Sequence, residues 1–345
     1  MGRIGCLFFL LILILGGGVA VDRGMGWWSG PGPLAQQTRL VLVPGGVEAT
    51  GDQLAKAGVI RYPLIFALVA KATGDARHLK LGEYDFPAHV SPAGVIKLLL
   101  SGKTVKHKLV IPEGFSSAEV IAAVDAAPEM SGAAPRNLPE GAVLPETYIY
   151  SYGDSRAGMV ARMERAMRQE LDQLWADREP GLPLTSEAQA VTLASIVEKE
   201  TGLPTERPKI AAVFYNRLKL GMKLQSDPTV IYAITKGDKP LGRPLDHDDL
   251  ATASPYNTYA SAGLPPGPIA NPGKASLLAV LHPAHTKDLY FVADGTGGHA
   301  FAETLEAHNR NVVHLRESKA AASANGAAPA GTGGPAGATA PQPRH

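Results

Sequence analysis

The stretch from Thr185 to Thr229 constrains this chain more than any other. Its first half predicts one helix. Ser186, with Gln189 three residues on, reads as a capping-box start. Gly202 and Pro204 stop the helix. At about 100° per residue, Ile196, Leu193, Val197, Ala190 and Ala194 fill one apolar arc. Glu200 falls within that arc, Glu198 at its edge, and Lys199 points away. An inward carboxylate has either a partner or a raised pKa, and raised-pKa carboxyls serve as general acids. Periodicity alone leaves two readings open. Glu200 is a proton donor, or it is a solvated residue or the ion-pair partner of a nearby cation such as Arg207 or Arg217.

The second half of the stretch adds sequence words. Ala194-Ser195-Ile196-Val197-Glu198-Lys199-Glu200-Thr201 is followed by Val213-Phe214-Tyr215-Asn216-Arg217-Leu218 and by Leu224-Gln225-Ser226-Asp227-Pro228-Thr229-Val230-Ile231-Tyr232. Together they resemble the YceG-like family of endolytic murein transglycosylases. The Glu200-Thr201 step is also similar to the Glu-Ser step that ends the catalytic helix of lytic transglycosylases with a lysozyme-like fold. The resemblance selects Glu200 over Glu198, as the helical-face argument does independently. The apolar setting predicts a Glu200 pKa near the value of about 6 known for a carboxyl acid in an apolar pocket.

The chain has 345 residues, 45% of them hydrophobic, which suffices for a core and, on length, about two domains. Its net charge of +1 offers no electrostatic case for nucleic acid. The single cysteine, Cys6, excludes an intrachain disulfide and a cysteine-ligated zinc site, and it leaves the redox compartment open. Residues 4–21 are almost wholly apolar. Eighteen helical residues span about 27 Å, enough for a bilayer core. The competing reading is a cleaved signal peptide, with Gly18-Val19-Ala20 as its cleavage site. Trp27 and Trp28 lie where an interfacial aromatic belt would sit. The resembled family keeps this segment as a single-pass anchor. Arg3 favours an inside N-terminus, which places the remainder on the periplasmic or extracytoplasmic side of the inner (plasma) membrane.

After a Gly/Pro linker over 23–37, strands and helices alternate from Thr38. Leu40 to Gly46 and Lys108 to Gly114 each read as a strand and a Pro–Gly turn leading into a capped helix, the second over Ser117 to Ala126. Leu79 to Phe86 reads as turn and strand, and Ser91 to Ser101 as a capped helix. The resemblance implies that 38–150 is a LysM-like peptidoglycan-binding module with a connector. Tyr84 and Phe86 are either sugar-stacking or, as strand aromatics more often are, core. Residues 151–317 form the implied catalytic domain. Ser155 to Trp175 predicts a helix with one solvated, charged face. Asp227-Pro228 reads as a helix start with Asp227 as N-cap. Ser254 to Tyr259 and Gly263 to Gly273 form stiff Pro/Gly loops, and function often resides on such loops. Leu289 to Ala293 and His299 to Phe301 flank a hairpin turn. Residues 318–345 are rich in Ala, Gly and Pro and predict a disordered tail.

The expected class is therefore α+β, with an anchor, a LysM-like module and a mixed catalytic domain. No Gly-x-Ser-x-Gly elbow is present. His282 and His285 share a helix face only if the helix survives Pro283, so no metal and no cofactor are expected. The resemblance implies cleavage of the β-1,4 bond between N-acetylmuramic acid and N-acetylglucosamine inside glycan strands, with 1,6-anhydro ends. Catalysis falls to Glu200. Gln225, Asp227, Tyr256, Asn257 and Tyr259 are the candidate substrate contacts, on motif match and chemistry. The implied partners are peptidoglycan strands, the membrane and cell-wall synthases. Two rivals stand beside this reading: a non-catalytic peptidoglycan-binding scaffold, and a hydrolytic muramidase using a second carboxylate such as Asp227 or Glu198.

Overall fold

The structure, a computed structural model, describes residues 26–324. The apolar N-terminal segment and residues 325–345 of the expected tail lie outside the described residues. No described helix is long and apolar enough to cross a membrane. The chain is mixed α+β, with many helices and small two-stranded sheets. It divides into two units. One holds the described residues up to Lys108 with Ile149–Asp154; the other holds Leu109–Tyr148 and everything from Ser155.

The first unit runs β1 (Thr38–Leu42), α1 (Gly46–Lys56), α2 (Pro63–Ala72), β2 (Gly82–Phe86), α3 (Pro92–Ser101). β1 and β2 pair antiparallel, from Thr38 opposite Phe86 to Leu42 opposite Gly82. Tyr84 and Phe86 are fully buried with Leu54, Phe66 and Leu99. Of their two readings, the core one holds: both rings leave the strand on the face that the helices cover. Tyr84 satisfies its hydroxyl by donating to the Lys80 carbonyl at 2.7 Å. The Ser91 hydroxyl caps α3 by accepting from the Gly94 N–H at 3.0 Å. α1 starts at Gly45 without a side-chain cap, unlike the capped start its sequence suggests. α2 carries no readable amphipathic period, because Pro63-Leu64-Ile65-Phe66-Ala67-Leu68-Val69-Ala70 is apolar throughout.

β3 (His107–Val110) and β4 (Thr147–Tyr150) pair with each other. In the second unit, α4 (Ser117–Ala126) opens on the Ser116/Glu119 capping box. It is followed by α5 (Arg156–Ala176), α6 (Glu187–Glu200), α7 (Arg207–Lys219), α8 (Asp227–Thr235) and α9 (Lys274–Leu281). The hairpin β5 (Tyr290–Ala293) and β6 (His299–Ala302) precedes α10 (Leu305–Ala324). Asp294 closes the hairpin turn by accepting from the Thr296 and Gly298 N–H groups. α6 packs against α7 and α9 through Leu193, Ile196 and Val197, facing Ile210, Phe214, Leu277 and Val280. Its burial is wider than the single arc expected from periodicity: every residue from Ala190 to Val197 is buried, Thr192 and Ser195 included. Those two hydroxyls donate to the Ala188 and Thr192 carbonyls, which makes their burial tolerable. The tail assignment needs correction at its start. α10 continues through Ser318 to Ala324, because the run Glu317-Ser318-Lys319-Ala320-Ala321-Ala322 has good helix formers and no breaker.

Candidate active site

α6 ends on Glu200, and Thr201 leaves the helix in an extended conformation. The Glu200 side chain therefore emerges where the helix stops, in the second unit's core. The residue is 7% exposed. Burial is the largest influence on its carboxyl, pushing the pKa from the ordinary 4.5 to about 7. The Ser226 hydroxyl, donating to Oε1 at 2.5 Å, and the more distant Arg217 pull it down. The negative charge of Asp227 pushes it up. The cations offered by the sequence as ion-pair partners are engaged elsewhere. Arg217 donates to the carbonyls of Leu224 and Leu289, both at 2.7 Å. Arg207 pairs with Glu198 at 3.1 Å and Glu113 at 3.3 Å. The Lys199 ammonium donates to the Gly114 carbonyl.

Glu198 is not at a rim, as the helical wheel had it. Its side chain is buried between the Arg207 guanidinium and the Gly273 N–H, which donates to Oε2 at 2.9 Å. Two nearby carboxylates on one helical turn thus have opposite settings: Glu198 is charge-compensated, while Glu200 has a hydroxyl partner only. Such divergence is how acid and structural roles separate.

The segment opposite Glu200 is fixed by a ring of hydroxyls. Gln225 sits at φ 52°, a left-handed conformation that a non-glycine residue adopts only where its surroundings impose it. Its N–H donates to the Thr258 carbonyl at 3.2 Å. The Ser226 N–H donates to the Thr258 hydroxyl at 3.0 Å, and the Thr258 and Thr229 hydroxyls lie 2.8 Å apart. The first residue of α8 is Asp227, so the N-cap is Ser226 rather than Asp227. Neither side chain caps the helix. Ser226 turns to Glu200, and Asp227 accepts the Tyr259 hydroxyl at 2.6 Å. Burial raises the Asp227 pKa against that bond, and it raises the Tyr259 pKa. A cavity of about 300 Å³ has Lys199, Pro228, Tyr232, Arg243 and Ile269 in its wall. Lys199 and Pro228 adjoin Glu200 and Asp227 in sequence. Among the described residues no cluster of three His, Cys, Asp or Glu is arranged to hold a metal. α9 stops at Leu281, so His282 and His285 do not share a helix face.

The model of the YceG-like family matches residues 42–314. The chain belongs to the YceG-like family. It is 40% identical over 173 residues to an endolytic murein transglycosylase of Bacillus subtilis (strain 168), covering 50% of this chain and 46% of that protein. It is 30% identical over 319 residues to an endolytic murein transglycosylase of Streptococcus pneumoniae serotype 2, covering 79% of this chain and 57% of the relative. The chain thus spans about half the length of the curated relatives it matches. A crystal structure of a YceG-like protein from Listeria monocytogenes is 30% identical, with a TM-score of 0.48, covering 80% of this chain and 99% of that one.

Within this YceG-like chain, the nominated residues fall into different places. Asp227 and Tyr259 are joined beside Glu200. Gln225 is exposed, with its backbone in the turn. Tyr256 is half-buried against Tyr232, ring centroids 4.9 Å apart. Asn257 is fully buried. Its amide donates to the Leu250 and Thr252 carbonyls at 3.0 and 2.9 Å, and its oxygen accepts the Tyr259 N–H at 2.9 Å. That use of all its polar atoms makes it the clamp of the loop. Ser226 and Thr258 were not singled out from sequence. The available signal was that Ser-Asp-Pro offers two cap residues. Placing Ser at the cap leaves Asp inside the helix and the serine hydroxyl unassigned. Asn257→Ala should strip two half-buried carbonyls of their donor, at up to about 1–3 kcal/mol per orphaned group. A thermal melt followed by circular dichroism should show a drop of several degrees; an unchanged midpoint would remove the clamp role.

Proposed function

We propose that this YceG-like chain is an endolytic lytic transglycosylase, acting on the β-1,4 bond from N-acetylmuramic acid to N-acetylglucosamine within peptidoglycan strands. The observation that carries the reading is Glu200. It is a buried, raised-pKa carboxyl at the end of α6, oriented by Ser226, with no ion pair to it among the described residues. Near neutral pH a substantial fraction of it is protonated. It delivers that proton to the leaving glycosidic oxygen. The substrate's acetamido group supports the positive charge developing at C1. Glu200, now a carboxylate, takes the proton of the C6 hydroxyl as that oxygen attacks C1, giving the 1,6-anhydro end. The substrate supplies what the second carboxylate of an ordinary glycosidase would. A dry, closed cleft suits this chemistry, because water would compete with the C6 oxygen. Asp227 and Tyr259 form a polar pair for the developing charge. Tyr256, Gln225 and the cavity walled by Lys199 and Pro228 offer sugar contacts. The first unit, which opens strand–helix–helix–strand and closes with α3, is the LysM-like peptidoglycan binder of this reading.

Mass analysis of digested sacculi is the test. Anhydro ends support the transglycosylase. Reducing ends instead favour a muramidase in which Asp227 handles water. Intact strands leave a binding scaffold.

In this reading residues 4–21 hold the chain in the inner (plasma) membrane, the remainder lies on the extracytoplasmic side, and newly made strands are cut as cell-wall synthases extend them. The expected result is an uncut N-terminus recovered by mass spectrometry from purified membranes. A soluble protein beginning near Val21 would replace the anchor by a signal peptide.

A further inference from the structure

α2 has a face that nothing in the first unit covers. Leu64 is 77% and Leu68 67% exposed, with Ile65 and Tyr62 also exposed beside them. Leu64, Ile65 and Leu68 recur at i, i+1 and i+4, one side of the helix, with Tyr62 at its N-cap. The opposite side, Phe66, Ala67 and Ala70, is buried in the core. Lone exposed leucines are ordinary, but a contiguous apolar strip marks an interaction site. Serving the core requires only the buried face, so the folding of this unit does not explain the second one.

The occupant is indicated by what stands at the head of the helix. Trp27 packs edge-on against Tyr62, centroids 5.4 Å apart, and against Trp28 at 5.9 Å. Tyr62 is the residue before Pro63, where α2 begins. Trp and Tyr are the side chains that favour the boundary between hydrocarbon and water. The apolar run 4–21 ends close by in sequence. Six residues, from Val21 to Trp27, reach at most about 20 Å. A segment that spans a bilayer therefore keeps this aromatic cluster within that distance of the lipid surface. Arg61 and Lys71, at the two ends of the same helix, are exposed, and cations there favour anionic headgroups. Lys71 also pairs with Glu48.

We propose that the Tyr62–Leu64–Ile65–Leu68 face of α2, with Trp27 at its head, lies in the interface of the lipid bilayer. This unit thus has a second membrane contact beside the anchor, so that α2 fixes its height and orientation over the lipid. The inference rests on the anchor reading for the tether, but the face itself is tested separately.

The experiment uses the full chain with Cys6→Ser, reconstituted in vesicles of phosphatidylcholine with a minority of phosphatidylglycerol. A nitroxide is placed on Leu68→Cys in one sample and on Ile12→Cys in another. Accessibility is read to oxygen, which concentrates in lipid, and to a water-soluble nickel chelate. The expected result at residue 68 is high oxygen and low nickel accessibility, at interfacial depth, with loss of that immersion when Leu64→Ser and Ile65→Ser are added. Their exposure leaves the fold intact, which circular dichroism checks. High nickel accessibility at residue 68 would overturn the proposal. So would shielding from both reagents, which means a protein covers the face. An aqueous signal at residue 12 would remove the anchor alone; residue 68 then still decides the proposal by its own depth.

Discussion

Glu200→Gln is expected to lower the rate of anhydro-end release by about two to four decades, the usual contribution of a positioned general acid. The substitution is nearly isosteric. The amide oxygen continues to accept the Ser226 hydroxyl, so the bond seen at 2.5 Å has a successor. What is lost is the transferable proton. Glu198→Gln is the control, and the structure gives it a different outcome. Its oxygen remains for the Gly273 N–H, but the charge opposite Arg207 is gone. Glu113 stays beside Arg207, so the cost falls below the roughly 3–5 kcal/mol of a buried charge left alone. Glu198→Gln should therefore melt earlier while retaining most activity at a temperature where it is folded. Measuring both rates on purified sacculi, alongside both melting curves, separates chemistry from stability. Equal loss of rate in the two variants would sink the assignment of the acid to Glu200.

The sequence made the location of Glu200 legible because an apolar helix ending in a carboxylate is a local pattern. Helical geometry decides which of two nearby glutamates turns inward. The same wheel misplaced Glu198. Burial of that side chain is determined by Arg207 and Gly273, which come from the next helix and from a loop more than seventy residues away. No local period encodes such a partner. Ser226 was missed for a related reason. Its value lies in facing Glu200 across the fold, whereas its local chemistry suggests only a cap. The hairpin at Asp294 was readable because its turn residues satisfy their own neighbours. The second helix of the first unit was not, since a wholly apolar segment has no face to read, and two of its leucines prove to be outside. Asn257 shows the limit of motif reasoning: a loop asparagine looks alike whether it binds a sugar or its own carbonyls, and here its three hydrogen bonds are internal.

The pH dependence should follow from the same carboxyl, in rate and in stability together. With the Glu200 pKa at about 7, the acid form predominates below that pH. Above it, activity should fall about tenfold per pH unit as the proton is lost. The neighbours set the direction in which the alkaline limb moves. The hydrogen bond from Ser226 lowers the pKa, so Ser226→Ala should carry the limb to higher pH. The charge of Asp227 raises it, so Asp227→Asn should carry the limb lower, with some loss of rate from freeing Tyr259. Stability falls with rising pH as well. An unfolded Glu releases its proton near 4.5, the folded one near 7. Between those values the folded state binds more protons than the unfolded state, so stability declines as pH rises through that window and is level above it. At about 1.4 kcal/mol per unit the decline amounts to roughly 3 kcal/mol. Glu200→Gln removes it, so this inactive variant should melt higher than the wild type at pH 8 and show little difference near pH 4. Direct titration of Glu200 by carbon-13 NMR, set beside a pH–rate profile and melts at both pH values, tests both dependences. A midpoint in the ordinary glutamate range near 4, or a Gln variant no more stable than the wild type at pH 8, would mean that burial does not hold this proton.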